Sequence, residues 1–197
     1  MPTDLIALDA LTVRSTVRLV SGLSDADMSL PTPCAGWDLG ALLAHMTAQH
    51  RGFAAAASGH GGDLAAWSPK PSSVRDYAAS ADLVLSAFAS PGVLDRMFEL
   101  PEFGASFPGR LAVGFHLVDY VVHGWDVARA VGQDLVLDEE SCRTVLRMGR
   151  NWPDIPRIWG GPGAPWANRV PVADDAPVAD RMLGFLGRTP NWPGQDM

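Results

Sequence analysis

The sequence predicts an all-α fold: a bundle of four long helices, with one further helix and a short C-terminal one. Three observations carry this. Residues 114–130, GFHLVDYVVHGWDVARA, have helical composition and are apolar nearly all the way round, the signature of a helix buried on every side. Several other stretches combine helical spacing with cap and stop residues at suitable distances. No strongly alternating strand pattern competes with them.

Residues 4–21 come first. Leu5, Leu8, Leu11, Thr12, Ser15 and Leu19 follow steps of three and four, and Gly22 is a stop. Residues 23–33 read as a short turn and an extended run, punctuated by Pro31 and Pro33. Asp38 is an N-cap for a second helix that ends at Gly59. His45 lies about two turns inside it, on a face of small apolar residues. The stretch 59–72 contains Gly and Pro and reads as a surface loop. Ser73 with Asp76 forms a capping-box variant for a third helix, which Ser90-Pro91-Gly92 ends. Two short extended pieces are placed around Met97 and Phe103. Pro108 suits the entry to the central helix, and Gly132 its exit. Asp138, Glu139 and Glu140 put acids at the start of a fifth helix running to about Arg150. Five prolines within 151–171 exclude a continuous helix there. A short helix then follows Pro177 and stops at Gly187.

At 197 residues the chain is read as one domain spanning 1–197, in which 151–197 is a Pro-rich wrap closed by the short helix. A formal charge of −7 without a Lys/Arg run argues against a nucleic-acid partner. No apolar run reaches the ~20 residues needed to cross a bilayer, and the N-terminus lacks the pattern of a signal peptide. Cys34 and Cys142 are far apart and in no metal-type spacing, which fits a reducing compartment. A cytoplasmic protein with a small-molecule partner is expected. A homodimer is compatible, although no patch in the sequence specifies one.

The central helix carries the chemistry. His116, Asp119 and His123 fall within one narrow stripe at about 100° per residue, and Asp126 extends it by a turn. Buried groups of this kind need partners. Asp119 and His123 are one turn apart and can offer an oxygen and a nitrogen to one cation. With His45 from the second helix they make a three-ligand set whose fourth position is open, the pattern of a catalytic zinc site. Mixed N/O ligation suits nickel, cobalt and iron(II) as well. The competing reading makes each histidine a hydrogen-bonded core residue. His116 is the acid/base candidate, with an orienting partner or a fourth ligand as the other readings. Asp126 can orient His123 or pair with Arg129. His50 lies about 140° round the second helix from His45, so the two cannot both face one site. Cys34 reads as an inert thiol or, near a helix N-terminus, a reactive one. Arg181 is the candidate for holding an anionic cofactor or substrate tail, with Arg188 as a second cation.

The run PTPCAGWDLGALLAHM and the later DYVVHGWDVARAVG, together with VPVADDAPVADRMLGFLGRTPNW near the C-terminus, resemble the DinB-like metal-binding bundles. More narrowly they resemble the N-terminal domain of mycothiol-dependent maleylpyruvate isomerase and its actinobacterial relatives. The resemblance implies an up-down-down-up four-helix bundle with a divalent metal held by His45, Asp119 and His123. Many relatives carry Glu or His where this chain has Asp119. It also implies a thiol cofactor such as mycothiol, and hence a metal-dependent transferase or isomerase. A metal-dependent hydrolase is a further enzymatic option. A non-catalytic metal-containing sensor is the alternative from a different class.

Overall fold

The structure, a computed structural model, describes residues 4–194. Six helices follow in order: α1 (Leu5–Val20), α2 (Leu39–Ala57), α3 (Val74–Phe88), α4 (Gly109–Ala130), α5 (Glu139–Gly149) and α6 (Val178–Phe185). Between α3 and α4 a small antiparallel hairpin pairs β1 (Met97–Leu100) with β2 (Ala105–Pro108). The all-α expectation thus holds for the bundle. The hairpin is its one β element among the described residues. The extended piece expected at Met97 is β1, whereas Phe103 lies on the tip that joins the two strands.

The expected caps are present. Asp4, Asp38, Ser73 and Asp138 each accept a backbone N–H from the first turn of their helix. Packing fixes the helix directions. Asp9 meets His116 and Thr16 approaches Gly124, so α1 and α4 run parallel. His45 meets Asp119 while Phe53 meets His116, so α2 and α4 run antiparallel. Parallel neighbours in sequence need a crossover, and residues 58–73 supply it between α2 and α3. Trp67 on that crossover packs on Phe53 and donates its indole N–H to the Gly61 carbonyl at 2.8 Å. Gly52 permits the approach, since a Cβ there would lie 2.2 Å from the Trp67 ring.

α4 is the bundle axis, with sixteen of its residues buried, among them Leu117, Val118, Val121 and Val122. The buried stripe of α1 differs from the expected one. Leu5, Asp9, Val13, Thr16 and Val20 face the core, while Leu11 is 47% exposed. The reason is a polar network inside the bundle. Asp9 bonds His116 at 2.7 Å, and the Tyr77 hydroxyl donates to Thr16 at 2.6 Å. His50 bonds Ser80 at 3.0 Å, and the Tyr120 hydroxyl donates to the Met46 carbonyl. Asp9 and Thr16 therefore lie on the core face, at the flank of the apolar stripe.

The C-terminal segment returns to the bundle through aromatic stacking. Trp152 packs on Phe115 of α4, on Trp166 and on Phe185 of α6. α6 ends at Gly187, whose φ of 78° is left-handed, and the Arg188 N–H closes the turn on the Leu183 carbonyl at 2.8 Å. That turn directs Arg188 back into the bundle.

Removing Asp9 leaves both ring nitrogens of the buried His116 without a partner, because its Nε2 already has none. Asp9→Ala is expected to destabilise the fold by about 3 kcal/mol. Leu11→Ala should change it by only about 0.5 kcal/mol. Urea denaturation of the two variants checks which stripe of α1 is the core face.

Candidate metal centre

Three groups converge where α2 and α4 cross. His45 Nε2 lies 3.6 Å from Asp119 Oδ2, and His123 Nε2 lies 3.3 Å from Asp119 Oδ1. One potential ligand atom from each residue lies within 4.8 Å of the other two. The edge of a tetrahedron with bonds of about 2.0–2.1 Å is about 3.4 Å, so both spacings suit neighbouring ligands of one ion. His45 Nε2 and Asp119 Oδ2 are buried and have no hydrogen-bond partner. Orphaned polar atoms are costly. A cation between them would satisfy both, and this is the observation that fits the residues to a metal.

The local sequence explains the geometry. Asp119 and His123 are one helical turn apart on α4. His45 is set by the Asp38 cap, which accepts the Ala41 N–H at 2.8 Å and fixes the start of α2. The preceding turn is tied by Thr32, whose hydroxyl accepts the Cys34 N–H and contacts the carbonyls of Cys34 and Trp37. Trp37 from that turn lies against both imidazoles, with ring centroids 4.8 Å from His45 and 6.2 Å from His123. It screens the site on one side.

Behind His123 stands a chain of orienting groups. His123 Nδ1 donates to Asp126 Oδ2 at 2.9 Å, which leaves Nε2 facing Asp119. Arg188 in turn holds Asp126 with two bonds, Nε to Oδ1 at 3.1 Å and Nη2 to Oδ2 at 2.8 Å. Its remaining nitrogen donates to the Leu186 carbonyl. Both side chains are buried, so the bidentate pair is worth more than a surface one. Partners of this kind fix the tautomer and direction of a metal-binding histidine.

The electrostatics follow. Burial alone would raise Asp119, but the neighbouring His123, and then His45, overcome it and hold the carboxyl well below the usual range. Burial alone would lower His123, but Asp119 and then Asp126 push it up to about 9. Asp126 is also lowered, Arg188 outweighing its burial. Glu102, on the hairpin tip, is exposed as a residue. Partial burial of its carboxyl, then the charge of Asp119, raises its pKa, and Gln49 bonds it.

The other sequence candidates lie elsewhere. His116 shares the stripe of Asp119 but is wholly buried, held by Asp9 and packed among His50, Phe53, Phe88 and Tyr120. It is placed in the core network of Asp9 and the surrounding rings, not in the His45–Asp119–His123 cluster. His50 lies in the same network, away from the metal cluster as its angular offset predicts. Arg181 is half-buried on α6 and takes no part in the cluster. Arg188 does, and its partner is Asp126 rather than an open cavity. Asp126 does not pair with Arg129, which bonds Asp134 and the Trp192 carbonyl. Sequence reasoning missed the Arg188–Asp126 pair and the acid at the hairpin tip. Only the Gly187 stop, just before Arg188, hinted at the first.

The model of the mycothiol maleylpyruvate isomerase N-terminal domain matches residues 10–128. The chain belongs to this family. Two proteins from two strains of Mycobacterium tuberculosis, both described as uncharacterized, are each 30% identical over 167 residues, covering 81% of this chain and 84% of theirs. Two solved structures share the fold: the mycothiol-dependent maleylpyruvate isomerase (TM-score 0.54, 15% identity) and a mutant of it (TM-score 0.57, 14% identity). Each superposition covers 72% of this chain, and the chain spans 66% of the isomerase.

The shifted groups predict a pH profile for metal-free protein. The depressed Asp119 adds stability that is present above its ordinary value of 3.8 and lost as acid protonates it. The raised His123 adds stability fully present below 6.5 and lost as pH climbs through about 9. The melting temperature of chelator-stripped protein should therefore plateau between about pH 4 and 6.5 and fall toward pH 9. Scanning calorimetry across that range checks it.

Proposed function

We propose that this protein is a divalent-metal-dependent enzyme in which His45, Asp119 and His123 hold the ion, and that it acts on a small molecule with a thiol cofactor of the mycothiol type. The reaction class is thiol-dependent transfer or isomerisation. The observation that carries the reading is the pair of orphaned atoms, His45 Nε2 and Asp119 Oδ2, facing each other beside His123. Family membership supports the thiol. Zinc is the ion best suited to an N/O set of this size.

Charge balance also favours a thiolate. Arg188 neutralises Asp126, so the ligand set carries the single negative charge of Asp119. A divalent ion leaves one positive charge, which an anionic sulfur completes. When bound, the ion would lower the pKa of a thiol in the open position and hold the resulting anion for attack. The protein supplies the rest. Asp126 and Arg188 keep the His123 lone pair aimed at the site, Trp37 excludes water from one side, and Asp119 sets the charge.

Purified protein is expected to contain close to one divalent ion per chain, and His45→Ala and His123→Ala should each abolish it. Elemental analysis of unchelated protein showing none would overturn the reading. Arg188→Ala should lower metal affinity by about 10–100-fold, whereas Arg181→Ala should leave it unchanged. Competition with a chromogenic chelator measures both. Consumption of an electrophilic small molecule that depends on mycothiol and is lost with the metal tests the reaction class.

A further inference from the structure

The tip of the β1–β2 hairpin reaches the candidate metal centre, and the reading above leaves it without a role. Two contacts locate it. The Gln49 side chain, one turn beyond His45 on α2, bonds the Glu102 carboxyl. The Phe103 ring packs on Phe115, one turn before Asp119 on α4, with centroids 5.3 Å apart. Because α2 and α4 run antiparallel, both contacts lie at the same end of the cluster. The hairpin behind the tip is anchored. Phe98 and Leu100 are buried in the core, Leu100 pairs with Ala105, and the Gly104 N–H closes the tip on the Pro101 carbonyl at 3.0 Å. The cluster opens toward His45 and Asp119, whose side chains are each 19% exposed against 6% for His123. Those two residues are also the ones whose charges act on Glu102. Burial of its carboxyl, then the Asp119 charge, raises its pKa, and His45 and the Gln49 bond oppose the rise. The carboxyl therefore lies within electrostatic reach of both orphaned atoms. The cation of the centre, Arg188, is committed to Asp126 and the Leu186 carbonyl.

We propose that Glu102 is a recognition residue for the small molecule this centre binds, selecting one with an ammonium or other hydrogen-bond-donating group over one with a carboxylate. The inference rests on the metal and thiol reading of the preceding section. A carboxylate on the open side of the cluster attracts a cation and repels a second anion. It also has acceptor capacity beyond the single bond from Gln49, and that bond holds it in place. Phe103, the next residue on the tip, is 37% exposed and offers an apolar surface to the rest of the molecule.

Three simple thiols that differ in charge test this: cysteamine, 2-mercaptoethanol and mercaptoacetate. Each is titrated into protein loaded with one equivalent of Co2+, and the near-ultraviolet band of the cobalt–thiolate bond reports binding. Wild type is compared with Glu102→Gln thiol by thiol, so that the acidity of each thiol cancels. The variant keeps an acceptor for Gln49 and lies on an exposed tip, so its metal content and melting temperature should match wild type. Glu102→Gln should weaken cysteamine at least about tenfold, strengthen mercaptoacetate and leave 2-mercaptoethanol within about twofold. Glu102→Asp, which keeps the charge, should keep the wild-type order of preference. An equal change for all three thiols, or none, would overturn the recognition role and leave the metal–thiol reading standing. No cobalt uptake by wild type, or uptake without a thiolate band from any of the three, would overturn both.

Discussion

A carboxylate held between two imidazoles inside a helix bundle is an arrangement the fold has to be built around. Asp119 cannot be desolvated alone at acceptable cost, and its partners come from its own helix and from α2. This requires α2 and α4 to cross antiparallel at one register, with His45 level with the turn between Asp119 and His123. The crossover at 58–73 and the hairpin at 97–108 are the connections that allow it. They let α1 run parallel to α4, and α2 parallel to α3, with neither short loop nor strand intruding at the crossing. The triad is an ion-pair network in which Asp119 lies between His45 and His123 and, against burial, pushes the His123 pKa up to about 9.

Much of this was legible in the sequence. Helix existence followed from spacing and from caps that function as expected, Asp38 and the Ser73–Asp76 box among them. The pairing of His45 with Asp119 and His123 followed from one-turn spacing and from the family resemblance together. A shared angle on α4 did not bring His116 into the cluster of Asp119 and His123. His116 lies on the stripe of Asp119, yet Asp9 on α1 captures its ring at 2.7 Å and the neighbouring aromatic rings enclose it. Angle round a helix says which way a residue leaves the axis. It does not say which neighbouring helix waits there with a complementary group. The same limit hid Asp9, whose partner lies 107 residues away in sequence.

The choice between Arg181 and Arg188 shows the limit from the other direction. Both follow a proline-rich stretch with no periodicity to read, and both lie in or after a helix of eight residues. The deciding feature is a single left-handed turn. Gly187 reverses the chain, and a Cβ there would also meet Ala167 at 2.8 Å, so the turn is fixed by close packing as well as by φ. Arg188 is the first residue past that turn and enters the bundle, where it pairs with Asp126. The C-terminal wrap therefore reaches the cluster: it carries the cation that balances Asp126, and Asp126 in turn bonds His123.

This dependence on distant chain segments bears on how such a site can diverge. The three candidate ligands lie on two helices whose packing is shared by the family fold. The groups around them come from a loop before α2, a hairpin tip and a C-terminal turn. Changes in those segments alter charge and access without disturbing the helix crossing. Replacing Arg188 would unbalance Asp126, and altering the Thr32–Trp37 turn would remove the aromatic screen. The chain spans 66% of the solved isomerase and shares the fold of its bundle. The segments around the helix crossing are where a substrate preference has to be sought.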